Sequence, residues 1–67
     1  MEKYRFSAAV ADPSVWEYPT QTTVKARSLV EALDRLARRF QLTLEDVGRR
    51  TVTFATMDGA LIEYDIS

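Results

Sequence analysis

One stretch of this chain repeats its apolar residues with the period of a helix, while the segments around it alternate with the period of strands. The helical stretch opens at Ser28-Leu29-Val30-Glu31. This is a capping box: the Ser28 hydroxyl can accept from the Glu31 N–H while the Glu31 carboxylate reaches back to the Ser28 N–H. Leu29, Leu33, Leu36 and Phe40 follow at i, i+4, i+7 and i+11, with Ala32 and Ala37 beside them, and form one apolar stripe. Glu31–Arg35 and Asp34–Arg38 stand four residues apart in the favourable order. Arg38 and Arg39 fall in the last turn, where the helix dipole favours positive charge. The sequence therefore predicts one helix ending near Phe40. Its stripe must be buried against another layer, and the rest of the chain offers sheet.

In residues 3–10, Tyr4, Phe6, Ala8 and Val10 alternate with Lys3, Arg5, Ser7 and Ala9, which predicts a half-buried strand ended by the Asp12-Pro13 turn. Thr20 to Arg27 is rich in Thr and Val and predicts a second strand, with Thr22, Val24 and Ala26 on one face. Pro19 has no N–H for a ladder, so it belongs at a strand start or an edge. Residues 50–56 and 60–66 flank Met57-Asp58-Gly59 and form a hairpin. A two-residue loop would set Phe54 against Glu63 and Val52 against Asp65, dividing the apolar residues between both faces. A three-residue loop with Gly59 left-handed sets Phe54 against Ile62 and Val52 against Tyr64 instead. Between helix and hairpin, Thr43 with Asp46 three residues on suggests a second cap and one short helical turn, stopped by Gly48.

The expected architecture is a single α+β domain over residues 1–67, a two-layer β-β-α-β-β fold. A four-stranded antiparallel sheet packs on one amphipathic helix, which covers the face bearing Phe6, Val24, Phe54, Ile62 and Tyr64. A chain of 67 residues holds one core and no more.

Composition narrows the chemistry. The chain has neither Cys nor His. Disulfides, Cys/His zinc sites and His-based triads are therefore excluded, and the commonest general base at neutral pH is missing. We expect a non-enzymatic protein without cofactor or metal. Nine basic and ten acidic side chains leave a formal charge of -1, without the basic excess usual in a dedicated nucleic-acid binder. No apolar run approaches the ~20 residues that span a membrane, and the first residues lack the apolar core of a signal peptide. The expected location is the cytoplasm, and the expected state is a monomer or homodimer.

Four groups of side chains are candidates for function. Trp16 and Tyr18 lie close together between two prolines; such aromatics either anchor a partner or close one end of a small core. Arg35, Arg38, Arg39, Arg49 and Arg50 would form one patch suited to phosphate or carboxylate if Gly48 brings the turn back beside the helix terminus. Against that, Arg35 and Arg38 already have Glu31 and Asp34 to pair with. Lys3, Arg5, Lys25 and Arg27 share the outer side of the first two strands, but Tyr4 and Phe6 alternate to the core side, so the stacking half of a nucleic-acid-binding sheet is missing. Asp58, Glu63, Asp65, Glu45 and Asp46 read as surface charge, since no further ligands complete a metal site.

The segment Thr22-Thr23-Val24-Lys25-Ala26-Arg27-Ser28-Leu29-Val30-Glu31-Ala32 has the form V-x-A-x-S-x-x-E-A, a strand running into a capped helix. It resembles the middle of small phage and mobile-element proteins, among them single-domain anti-CRISPR inhibitors built from an antiparallel sheet and one helix. The resemblance covers about a quarter of the chain and implies a non-enzymatic antiviral-defence inhibitor that docks on a host nucleoprotein complex and occludes its nucleic-acid path. The expected function is thus a protein-interaction module, with Trp16, Tyr18, Lys25, Arg27, Arg35, Arg38, Arg39, Arg49 and Arg50 as candidate contacts to a protein or nucleoprotein. A small nucleic-acid-binding module and a homodimeric structural or regulatory subunit are the alternatives.

Overall fold

The computed structural model describes residues 1–11, 18 and 20–67, apart from the side chains of Val10 and Ala11. The expected Asp12-Pro13 turn and the placing of Pro19 fall outside these residues. In chain order the elements are β1 (Glu2–Ala11), β2 (Gln21–Ala26), α1 (Leu29–Phe40), β3 (Thr43–Val47), β4 (Thr51–Ala55) and β5 (Leu61–Ile66). The strands form one sheet in the order β2-β1-β5-β4-β3, antiparallel throughout.

The sheet thus has five strands rather than the expected four, because residues 43–47 are a strand and not a helical turn. One isolated helical turn carries the cost of nucleation without the bonds of propagation. As a strand, the same residues satisfy their backbone groups against β4. A bulge lies between Leu44 and Asp46: Leu44 pairs with Phe54 and Val47 with Val52. The extra residue, Glu45, puts two apolar side chains three apart on one sheet face, a spacing that imitates a helix. Gly48 opens the β3–β4 turn. Its N–H donates to the Thr51 carbonyl at 2.8 Å, and a Cβ there would meet Thr51 Oγ1 at 2.5 Å.

The β4–β5 hairpin has the three-residue loop and the register expected: Phe54 pairs with Ile62, Val52 with Tyr64, Thr53 with Glu63 and Thr51 with Asp65. Thr56 N–H donates to the Ala60 carbonyl at 2.8 Å, and Gly59 takes a φ of 88°. Thr56 Oγ1 accepts from the Ala60 N–H at 3.1 Å, which secures the loop further.

Ser28 caps α1, accepting from the Glu31 N–H at 3.2 Å. The Glu31 carboxylate turns to Arg35 Nη2, 2.7 Å away. At the other end Gln41 is left-handed (φ 55°), and the Leu42 N–H closes the helix on the Ala37 carbonyl at 2.8 Å. Ala32, Leu33 and Leu36 bury the stripe against the sheet. Beneath them Phe6, Val24, Val52, Phe54, Ile62 and Tyr64 are fully buried, and each such burial contributes about 1.5–3 kcal/mol. Tyr64 is the hub, with Phe6 and Phe54 edge-to-face at centroid distances of 6.4 and 6.2 Å. Burial pushes its phenol up from the ordinary value, and the neighbouring Tyr18 adds to that.

Candidate functional site

The open face of the sheet carries its charges in two territories. In an antiparallel pair, directly opposite residues share a face, so the register assigns them. Lys3 of β1 stands directly opposite Lys25 of β2, and Arg5 opposite Thr23. Across β1, Ser7 meets Asp65 of β5; then Glu63 meets Thr53 of β4, and Thr53 meets Asp46 of β3. The β2–β1 half is cationic and the β5–β4–β3 half is acidic and rich in Thr.

The helix layer adds to the cationic half. On α1, Arg35 and Arg39 are one turn apart. Arg35 holds Glu31 with Nη2 and donates from Nη1 to the Lys25 carbonyl at 2.7 Å. That bond fixes the helix flank over the free edge of β2. Lys3, Thr23, Val24, Lys25, Arg35 and Arg39 then line an open hollow of about 510 Å³. The ion pairs among the described residues are Glu31–Arg35 and Asp34–Arg38, so Lys3, Lys25 and Arg39 have no ion-pair partner there.

A second hollow, of about 530 Å³, lies where the helix starts. Glu2, Lys3, Tyr4, Leu29, Arg49, Arg50, Ile66 and Ser67 line it. The Tyr4 hydroxyl donates to Glu2 Oε2 at 2.7 Å, and this bond holds the phenol above its ordinary pKa, with desolvation and the Glu2 charge adding to it. The Arg50 carbonyl accepts from the Ile66 N–H at 2.7 Å and anchors the β3–β4 turn beside β5.

These two hollows sort the residues expected from the sequence. Lys25, Arg35 and Arg39 come together around β2. Arg49 and Arg50 do not join them: the turn after β3 folds back beside Leu29 at the helix start, whereas Arg38 and Arg39 occupy the helix end. Arg38 is exposed and engaged with Asp34, its Nε 3.1 Å from Oδ2. Arg27 is exposed just beyond β2 and lines neither hollow. Tyr18 is half-buried and packs against the core. Trp16 lies outside the described residues. The sequence grouped Lys3 with Arg5, Lys25 and Arg27 on the outer side of the first two strands without carrying it into the expected contacts, and it assigned Tyr4 to the core side. The β1–β2 register adds that Lys3 stands directly opposite Lys25, a pairing that the sequence alone does not fix.

Among the described residues no three His, Cys, Asp or Glu side chains are grouped to hold a metal ion. No helix among them is long and apolar enough to cross a membrane. Compared with known proteins, the chain matches no family model, no curated protein and no solved structure.

Proposed function

We propose that this chain is a non-catalytic interaction module that docks an anionic surface against the cationic side around β2. Its partner would be a host defence nucleoprotein complex, as the resemblance of residues 22–32 to anti-CRISPR inhibitors implies, and docking would block that complex's nucleic-acid path. The observation that carries the reading is the pairing of Lys3 with Lys25. Like charges directly opposite in a sheet are destabilising, on a scale of about 0.2–1 kcal/mol per pair. Arg35 and Arg39 are gathered beside that pair, and among the described residues the carboxylate in an ion pair with the group is Glu31. A local choice that opposes stability is the mark of a surface kept for binding. The absence of His and Cys from the chain agrees with a role without turnover.

The test has two arms. A targeted phage is plated on bacterial strains armed with different CRISPR effector types, with and without expression of this chain. Purified effector–guide complexes are also passed over the immobilised protein. The reading expects restored plating with at least one effector type, capture of that effector, and loss of both on the double substitution Lys3→Glu/Lys25→Glu. Unchanged restriction in every strain, with no effector retained, would refute it.

A further inference from the structure

Lys3 lines both hollows, and this joins them into one path. Lys25, Arg35 and Arg39 line the first hollow, Arg49 and Arg50 line the second at the helix start, and Lys3 is shared. We infer that this path is a track for the phosphodiester backbone of single-stranded nucleic acid, and that an exposed strand, rather than an acidic protein patch, is what the docking surface grips. The inference rests on the reading of the β2 side as the docking surface and names its ligand.

Three features favour a single strand. The cations are spread over two hollows that share Lys3, as successive phosphates would require, instead of clustering around one carboxylate. Most are Arg, whose planar fork suits phosphate oxygens. The second hollow adds an apolar wall of Tyr4, Leu29 and Ile66 beside Arg49 and Arg50. There an aromatic surface for a base and cations for its phosphate lie together, the combination that single-strand binders use, with the Glu2 carboxylate of the same hollow occupied by the Tyr4 hydroxyl. The acidic half of the open face then sets the width. Glu63 and Asp65 stand on β5, the strand next to β1. Asp65 stands opposite Ser7, four residues along β1 from Lys3 and so about 13 Å away along the strand, and a duplex, wider than one strand, laid over Lys3 and Lys25 would extend toward that carboxylate. A single strand kept to the β2 side avoids it.

The experiment is fluorescence anisotropy with a labelled oligo(dT) of about 15 nucleotides, a duplex of equal length, and polyglutamate as competitor. Oligo(dT) should bind more tightly than the duplex, and log K should fall with log salt at a slope of about −3 to −4, as for four to six phosphate contacts. Lys3→Glu should weaken binding at least about tenfold, since it breaks the path at the shared residue, and Tyr4→Leu about fivefold by removing one base contact. Arg38→Ala, off the path, should leave it unchanged. Circular dichroism of each variant separates lost binding from lost fold. Three results would overturn the inference: no oligo(dT) binding at low salt, duplex preferred over single strand, or displacement by polyglutamate at equal charge concentration. Effector capture that persists without oligonucleotide binding would sink this inference while leaving the proposed docking intact.

Discussion

The two edge strands of the sheet, β2 and β3, are protected in different ways. β2 lies under the helix, alternates between buried and exposed residues, and has one edge carbonyl, that of Lys25, taken by Arg35. β3 is exposed along its whole length, with Leu44 and Val47 each 46% accessible. Its protection is a bulge and two carboxylates, Glu45 and Asp46, which discourage a second strand from pairing there. The difference separates two tasks. At β3 the irregular backbone and negative charge serve mainly to prevent association. At β2 a regular strand is braced by the helix, and positive charges are gathered on a firm support, which the proposed docking would use.

Substitutions under the helix and at the bare edge should therefore differ most. Leu36→Ala removes a fully buried side chain between α1 and the sheet and should cost about 2–5 kcal/mol. Leu44→Ala on β3 should cost less than about 1 kcal/mol. Urea unfolding measures both, and equal losses would erase the contrast between the edges.

Alkali tests the core that both edges share. The Tyr64 phenol titrates above the ordinary value of 10.0 in the folded protein. Below pH 10 it is neutral in folded and unfolded chains alike, and its stabilising burial is complete. Above that pH the unfolded chain releases the proton first, so stability should fall, by up to about 1.4 kcal/mol per pH unit, until the folded phenol also ionises. Tyr64→Phe should flatten most of this slope in urea titrations between pH 9 and 11; an unchanged slope would place its origin elsewhere.

Arg35→Ala asks whether the brace matters. It removes the bond to the Lys25 carbonyl and the pair with Glu31, both partly solvent-exposed, and should cost about 1–2 kcal/mol. Sedimentation should also show new concentration-dependent association through the uncovered β2 edge. A monomer of unchanged stability would mean that the helix alone protects that edge. The smallest of these effects is a gain. Gln41 holds the left-handed position at the helix end, so Gln41→Gly should stabilise by about 0.5–1 kcal/mol in thermal unfolding. A loss there would show that the Gln41 side chain contributes more than its backbone strain costs.

What the sequence disclosed follows the range of the interactions. The helix was legible because Ser28 and the stripe from Leu29 to Phe40 are local signals. The β4–β5 register was legible because one pairing alone puts Phe54, Ile62, Val52 and Tyr64 on the same face. β3 was not, since Thr43 and Asp46 stand at the spacing of a helix cap and the bulge at Glu45 breaks the alternation that marks a strand. Of the site, Lys25, Arg35 and Arg39 could be named, but not their convergence. That depends on Lys3 pairing with Lys25 and on Arg35 reaching the Lys25 carbonyl ten residues away. Both contacts are set by tertiary structure. The separation of Arg49 and Arg50 from the helix end was equally hidden, because only the sheet order carries that turn to the helix start.

The central claim is that Lys3 and Lys25 face each other for a ligand and at the expense of the fold. Lys3→Glu tests it directly when unfolding free energy and oligo(dT) affinity are measured on the same preparation. We predict opposite signs: a protein more stable by about 0.5 kcal/mol, as a cross-strand ion pair replaces a repulsion, and binding reduced at least about tenfold. A less stable variant, or one that binds as before, would contradict the account.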